Sequence, residues 1–570
     1  MKECNQMKRI LIVGGVAGGA TAAARLRRLD EDAKIIIFEK GPHPSYANCG
    51  LPYHIGGVIP RRSDLLVQSA EDFFQRYRVE VRLNQEVVAI NSDSRFIVVK
   101  NLGLNEVYEE SYDALILAPG ATPVLPEVSL RAQEVNLGSQ EAIFPLHTIT
   151  DMDAIISHIY QRQARSAVVL GGGFIGIEAA ENLVYLGLDV TVIQRSAQVL
   201  PPLDAEIASY VHDKLRDCGV QLILNNSIKF VQRTTNEADE GAALLSITLA
   251  DDQELAADLI IGAIGVKPLT TLAVDAGLEL GVSGGIAVDA HMRTSDPYIY
   301  AVGDAVESVE LVTQVQRLVA LAGPANKQAR VAADNVCGIA STYKGPQAST
   351  IIKIFDLTVA CTGINEKTAK SCGLDYDKVY LLGFNHASYY PGTESITIKV
   401  LFERPTGRIL GAQIIGRDGV DKRCDILATA IRARMTAADL VDLELCYSPP
   451  YSSAKDPINT VGLMIENLQS GRIKQFHWHD VSSLPRDGSA TLLDVRTRQE
   501  CVYGTIDGFK NTPVDELRGR LSELDPSKPV FLYCHSGLRS YVAARMLAQK
   551  GFDVSHLSGG YALYAHSQKQ

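Results

Sequence analysis

Two of the ten cysteines in this chain stand in settings that suit chemistry. Cys49 lies in the run SYANCGLPY, from Ser45 to Tyr53, with no second cysteine nearby. A solitary thiolate cannot store two electrons as an internal disulfide. Redox work at Cys49 would therefore pass through a mixed disulfide with a small thiol, a persulfide or a sulfenic acid. Cys534 follows the apolar run 530–533 and precedes a helical stretch beginning near Ser540. The backbone amides of such a loop, and the helix dipole, favour a thiolate or persulfide. Arg539 adds positive charge. Two glycine loops supply the other chemistry. Gly171, Gly173 and Gly176 satisfy G-x-G-x-x-G, which turns tightly, admits a pyrophosphate and lets a helix close onto a strand. The earlier loop, GGVAGG, keeps Gly14 and Gly19 in the outer positions but has Val16 in the middle, with Gly15 and Gly18 placed to supply the missing freedom.

Each loop needs a strand before it and a helix after it. The run 10–13 enters the first loop, with a helix expected at 20–29 and a strand at 34–38. The run 167–170 enters the second, with a helix at 177–186 and a strand at 190–193. Strands alternating with helices imply α/β units with parallel sheets, and two nucleotide units imply two nucleotides. Glu39 ends the strand after the first loop, where it suits ribose hydroxyls. The corresponding strand in the second unit ends Gln194-Arg195. That departure leaves NADH and NADPH both open, since Arg195 could meet a 2′-phosphate. From 331 to 465 the pattern changes to α+β, with strands at 351–355, 396–402 and 409–415 and a helix at 421–434. A junction is expected at 471–480, followed by a compact α/β segment.

Two further signatures sit between these units. LILAPGA carries Ala118 and Gly120 after an apolar strand, and TSDPYIYAVGDA ends in Gly303-Asp304. Four such motifs in order resemble the pyridine nucleotide disulfide reductase superfamily, over roughly residues 8–465. The resemblance implies FAD in the first unit, with Asp304 on the ribityl chain, and NADH or NADPH in the second, with Glu178 on that side. It implies a FAD-binding domain at 1–120 and 257–330, an NAD(P)H-binding domain at 121–256 and a dimerisation domain at 331–465. Many members carry a C-x4-C redox disulfide where this chain has Cys49 alone. Residues 472–570 contain LLDVRTRQE, CHSGLR and LSGGY in order and resemble the rhodanese family. The six-residue loop at Cys534 has the rhodanese length, which favours sulfane-sulfur transfer over phosphate ester hydrolysis. Where rhodaneses often read G-H-I-x-G-A, this chain has GTIDGF from Gly504, a change expected in a structural element. The fold class expected is α/β: two Rossmann-like dinucleotide-binding domains, an α+β dimerisation domain and a C-terminal α/β rhodanese domain.

The context of Cys49 is similar to coenzyme A disulfide reductases, and the fused pair to their rhodanese-linked relatives that reduce persulfide or polysulfide. This implies coenzyme A and small sulfur compounds as substrates, and a homodimer. It also implies roles for Tyr447 and for one of Tyr389 and Tyr390 near the redox cysteine of a partner subunit. Ser45, Asn48, Arg25 and Arg62 are expected to bind substrate, the arginines through coenzyme A phosphates. Three rival readings stay open. One is a plain coenzyme A disulfide reductase maintaining a thiol pool. Another is an NADH oxidase or peroxidase, which the absence of a histidine in the first glycine loop disfavours. The third is a redox-sensing sulfur relay.

Composition narrows the remaining classes. A net charge of −11 disfavours nucleic-acid binding. No stretch approaches the roughly 20 apolar residues of a membrane span. Unpaired cysteine spacing suits a reducing cytoplasm. His477 and His479 lack the spacing of a metal site, and no metal is expected.

Overall fold

The computed structural model describes residues 7–125, 129–130, 142–233 and 245–568. It divides into two compact units, Met1–Ala197 with Gly219–Pro346, and Gln198–Cys218 with Gln347–Gln570. The first unit holds both glycine loops. Its first parallel sheet runs in the order Ile299–Ala301, Ala114–Leu117, Arg9–Val13, Lys34–Glu39, Glu80–Leu83. The chain moves outward from Arg9–Val13 in one direction and later returns on its other side. That reversal opens a crevice at the carboxyl ends of the strands, where ligands bind in such sheets. The strands are almost wholly buried, with Ile10, Leu11, Ile12, Ile36 and Ile37 at 0% exposure, as β-branched runs covered on both faces should be. A second parallel sheet runs Ile143–Pro145, Leu259–Gly262, Ser166–Leu170, Asp189–Gln194, Gln221–Leu224.

Both loop helices start earlier than the periodicity suggests. The first spans Ala17–Leu29 and the second Phe174–Tyr185. Low glycine propensity argues against these first turns, but strand contact overrides it. A Cβ on Gly19 would lie 1.8 Å from the carbonyl oxygen of Gly14, and one on Gly176 would lie 1.9 Å from that of Gly171. Two expected boundaries also move. The strand Leu259–Gly262 pairs within the second sheet, so that domain passes residue 256. The helix Ala322–Val336 packs on Ala17–Leu29, and Arg25 of one bonds Asp334 of the other, so the first domain passes residue 330.

The second unit contains a five-stranded antiparallel sheet, in the order Thr350–Ile354, Leu357–Gly363, Ile409–Gly416, Ser395–Glu403, Tyr376–Phe384. It also contains a five-stranded parallel sheet, Lys474–Phe476, Val554–Leu557, Val530–Tyr533, Thr491–Asp494, Lys510–Asn511. Segment 198–218, expected within the NAD(P)H domain, clusters with this unit. The tie is a buried ammonium. Lys399, fully buried, bonds Asp204 Oδ2 at 2.6 Å, Glu366 Oε1 at 2.5 Å, and Glu206. Lys378 adds a second cation on Glu366 at 2.7 Å. No described helix is long and apolar enough to cross a membrane.

Removing the central cation leaves three buried carboxylates undercompensated. Lys399→Met should lower stability by about 3–5 kcal/mol, read as a lower chemical-denaturation midpoint. The deficit should shrink in acid, where carboxylate protonation relieves the repulsion; a deficit that does not change with pH would contradict this origin.

Candidate active sites

The crevice of the first sheet is a cavity of about 380 Å³, lined among others by Gly14, Gly18, Glu39, Ala118, Gly120 and Asp304. Glu39 braces the glycine loop. Its Oε2 accepts from the Gly15 amide at 2.9 Å and its Oε1 from Gly41 at 2.8 Å. A carboxylate accepts further hydrogen bonds, so ribose hydroxyls can still use it. Val16, the departure in this motif, has φ of −75° and lines the cavity at the helix start, so a side chain fits where the pattern has glycine. The Gly303 turn is held by its amide bonding Gln328 Oε1 at 2.9 Å. Burial pushes the Asp304 carboxyl up, with His147 opposing. A glycine-lined crevice at a helix N-terminus, with the Glu39 and Asp304 carboxylates in its lining, fits a dinucleotide.

The second loop repeats this plan with a neutral brace. The Gly172 amide donates to Gln194 Oε1 at 2.9 Å, and Gln194 Nε2 donates to Ser196 Oγ at 2.6 Å. Gln194 thus takes the position of Glu39 without its charge, while Arg195 next to it is exposed. Sequence reasoning had Gln194 only as a departure. Its bracing role is the counterpart of the Glu39–Gly15 bond in the first loop.

Cys49 lies in the single turn Asn48–Gly50, before the short helix Leu51–Ile55. It is exposed, and Asn48 lines the first cavity. Ser45 begins the short strand Ser45–Tyr46 that leads to it. Desolvation by surrounding protein pushes the Cys49 thiol up, and the Glu178 and Asp304 carboxylates push it further. One carboxylate comes from each nucleotide module, so the thiol lies within electrostatic reach of both. Glu178, on the helix after the second glycine loop, accepts from Tyr53 Oη at 3.1 Å. Burial lifts its carboxyl to about 7. Near neutrality it can therefore hold or release a proton beside the Cys49 turn.

The arginines expected on substrate phosphates are engaged by their own chain. Arg25 places Nε and Nη2 on Asp334 Oδ1, both at 2.7 Å. Arg62 grips Asp153 through Nε at 2.9 Å and Nη2 at 2.7 Å, and remains 41% exposed. In the second unit the alternatives at 389 and 390 separate. Tyr389 Oη and Tyr447 Oη lie 3.1 Å apart, and both side chains are exposed. Tyr390 instead packs edge-on against His386, ring centroids 5.6 Å apart.

Cys534 ends the strand Val530–Tyr533 and is 1% exposed. The Gly537 amide donates to its Sγ at 3.1 Å, and Sγ lies 3.4 Å from Ser540 Oγ. The Cys534 and His535 carbonyls are tied to the amides of Tyr561 and Ala562 at 2.8 and 3.0 Å, which fixes the loop from behind. Arg539 is bidentate on Glu500 at 2.6 and 2.7 Å, and Cys534 also bears on its charge. Beneath the loop, Arg496 forks onto Asp494 at 2.7–3.1 Å and bonds the Gly504 carbonyl at 2.8 Å. Tyr533 Oη donates to Asp494 at 2.7 Å. The altered GTIDGF stretch is thus tied at its Gly504 carbonyl to Arg496. Among the described residues, Asp204, Glu206 and Glu366 bring carboxylates within 4.8 Å of one another, but the Lys399 ammonium bridges them. His477 and His479 face Asp377 and Asp480, at 3.4 and 3.0 Å.

A nucleotide-sized crevice at the first glycine loop, a second braced glycine loop and the exposed Cys49 beside them define an oxidoreductase, and Cys534 adds a second sulfur centre. Residues 8–329 match the pyridine nucleotide-disulphide oxidoreductase model, 349–457 the dimerisation domain of that family and 478–567 the rhodanese-like domain. The chain belongs to the pyridine nucleotide-disulphide oxidoreductase family and carries a C-terminal rhodanese-like domain. It is 36% identical to a coenzyme A disulfide reductase of Staphylococcus haemolyticus over 463 residues, which is 81% of this chain and 100% of the relative. A crystal structure of reduced Bacillus anthracis CoADR-RHD matches with a TM-score of 0.94 and 44% identity, over 99% of each chain. An NAD-dependent persulfide reductase from A. fulgidus matches at 0.88 and 35%, over 97% of this chain and 99% of that one.

Replacing Glu178 by Gln removes one negative charge acting on Cys49. The pH profile of Cys49 alkylation should move to lower pH, while that of Cys534 stays put. Coincident Cys49 profiles for variant and wild type would show that the carboxylate does not reach the thiol.

Proposed function

We propose that this enzyme uses NADH or NADPH and FAD to reduce coenzyme A persulfide, polysulfide or coenzyme A disulfide at Cys49, while Cys534 handles sulfane sulfur. The observation that carries the reading is the free, exposed Cys49 beside the first crevice, in one chain with a buried cysteine that accepts from the Gly537 amide. FAD bound in the first crevice supplies two-electron transfer between nicotinamide and sulfur. Gly14, Gly15, Gly18, Gly19, Glu39, Ala118, Gly120, Gly303 and Asp304 would hold it. Gly171, Gly173, Gly176 and Glu178 would face the nicotinamide nucleotide.

The Cys49 thiolate attacks the inner sulfur of a coenzyme A persulfide. A Cys49–coenzyme A disulfide forms and hydrosulfide leaves. With coenzyme A disulfide, coenzyme A thiolate leaves instead. Two electrons then cleave the mixed disulfide and return the Cys49 thiolate and coenzyme A thiolate. Carboxylates around Cys49 disfavour its thiolate, so protonation of Glu178 near neutrality helps the attack. The leaving sulfur needs a proton or a hydrogen bond. The paired hydroxyls of Tyr389 and Tyr447, contributed across a homodimer, fit that task, whereas Tyr390 is placed for packing. Ser45, Asn48, Arg25 and Arg62 stand as substrate contacts, with Arg62 the more accessible of the two arginines. Cys534 takes sulfane sulfur from a donor by attacking its outer sulfur, which frees the donor's thiolate and leaves a persulfide on the loop. The free cysteines among the described residues support work in a reducing cytoplasm.

Steady-state rates on coenzyme A persulfide and on coenzyme A disulfide should both be lost in Cys49→Ser, and Cys534→Ser should lose sulfane transfer alone. Poor turnover of persulfide beside fast turnover of disulfide would favour the thiol-pool reading. Rapid NADH oxidation by oxygen without a sulfur acceptor would favour an oxidase. No turnover with any acceptor would favour a relay. Tyr447→Phe should slow turnover roughly 10²–10⁴-fold, the usual contribution of a positioned proton donor; an unchanged rate would remove the tyrosine from the mechanism.

A further inference from the structure

Behind the Cys534 loop lies a polar chain that neither the motifs nor the reading above uses. Ser540, on the first turn of the helix Leu538–Ala548, is fully buried. Its Oγ lies 3.4 Å from Cys534 Sγ, 2.8 Å from the Gly537 carbonyl and 3.3 Å from His556 Nδ1. His556 is 7% exposed on the strand Val554–Leu557, paired with Leu532 on one side and Gln475 on the other. Its backbone is therefore fixed from both sides.

The donors can be assigned by counting. A serine hydroxyl has one proton and two lone pairs. The shortest of the three contacts runs to the Gly537 carbonyl, which accepts only, so the proton points there. Oγ then accepts from the Cys534 thiol and from His556 Nδ1–H. Burial pushes the imidazole down to about 4, so it is neutral near pH 7 and carries its proton on one nitrogen. Ionising Cys534 reverses one link, because sulfur then needs a donor in place of an acceptor.

We infer that Ser540 and His556 form a hydroxyl–imidazole relay that holds the Cys534 sulfur and turns its hydrogen bond when the thiol ionises. In the ionised state the Ser540 hydroxyl swings from the Gly537 carbonyl to Sγ. It joins the Gly537 amide there, while His556 continues to donate to Oγ and polarises it. Ser540 touches the reacting sulfur; His556 acts through it as a positioning residue. Arg539, backed by Glu500, is the charged group facing the sulfur, and His477 bears on His556 from its far side. This inference rests on the sulfane-sulfur role of Cys534, but its first readout does not.

The test follows Cys534 alkylation by iodoacetamide against pH in the full-length holoenzyme, beside sulfur transfer from thiosulfate to cyanide. Ser540→Ala should move the profile to higher pH and slow transfer roughly tenfold, as expected on losing a hydrogen bond to a charged group. His556→Leu should shift both in the same direction by less. Ser540→Thr and His556→Asn, which restore a hydroxyl and an amide donor, should return toward wild type, and their recovery excludes general misfolding. Profiles of Ser540→Ala and His556→Leu that superpose on wild type would overturn the relay. So would a shift in His556→Leu without one in Ser540→Ala, since His556 acts through the serine. Shifted profiles in a protein whose wild type transfers no sulfur would support the relay and refute the sulfurtransferase reading.

Discussion

Both glycine loops depend on one steric condition: a helix must begin in contact with the carbonyl that ends its preceding strand. Gly19 over Gly14 and Gly176 over Gly171 meet it twice, with less than 2 Å to spare for any Cβ. From that contact follow the direction of the first-turn amides, the depth of the crevice and the placement of Glu39 and Gln194. A methyl group in either place would tilt the helix and take the amides off target. The neighbouring braces then set the charge. A carboxylate serves the first loop and a carboxamide the second, so similar backbones present different electrostatics to their nucleotides.

Away from the glycine loops, the second unit is organised by buried charge. Lys399 stands where a metal ion could stand, ringed by three carboxylates from two segments. Arg496 and Asp494 do the same beneath the Cys534 loop, one fork of hydrogen bonds tying the DVR strand to the Gly504 turn. Such groups are strongly constraining because an unpaired buried charge is so unfavourable. They specify which segments must meet more sharply than apolar contact does.

Much of this was legible in the sequence because it rests on local pattern. The glycine spacings, Glu39, Asp304, the isolation of Cys49 and the strand–loop–helix at Cys534 are all fixed within short windows. Domain limits at 256 and 330 were misjudged because the strand Leu259–Gly262 and the helix Ala322–Val336 declare their neighbours only through pairing and packing. Tyr389 and Tyr390 likewise separate only in space: adjacent residues in one motif, one bonds Tyr447 and the other packs on His386. Arg25 and Arg62 read as free cations because Asp334 and Asp153 are remote in sequence. Gln194 showed only as a departure from pattern, and Ser540 and His556 gave no signal, since each matters for the single atom it touches.

The burial of Cys534 has a consequence for what can approach it. A sulfur atom in a residue with 1% of its surface open selects reagents by width before reactivity. Slim, end-on nucleophiles and linear sulfur anions can reach it; a disulfide with two bulky arms cannot present its central bond. The same enclosure keeps bulk water and dissolved oxidants from a stored sulfur atom and lengthens its lifetime. Cys49, lying exposed, has no such shelter and is open to bulkier thiols and disulfides. The two thiols thus differ in what can reach them, and the difference arises from how far each sits below the surface.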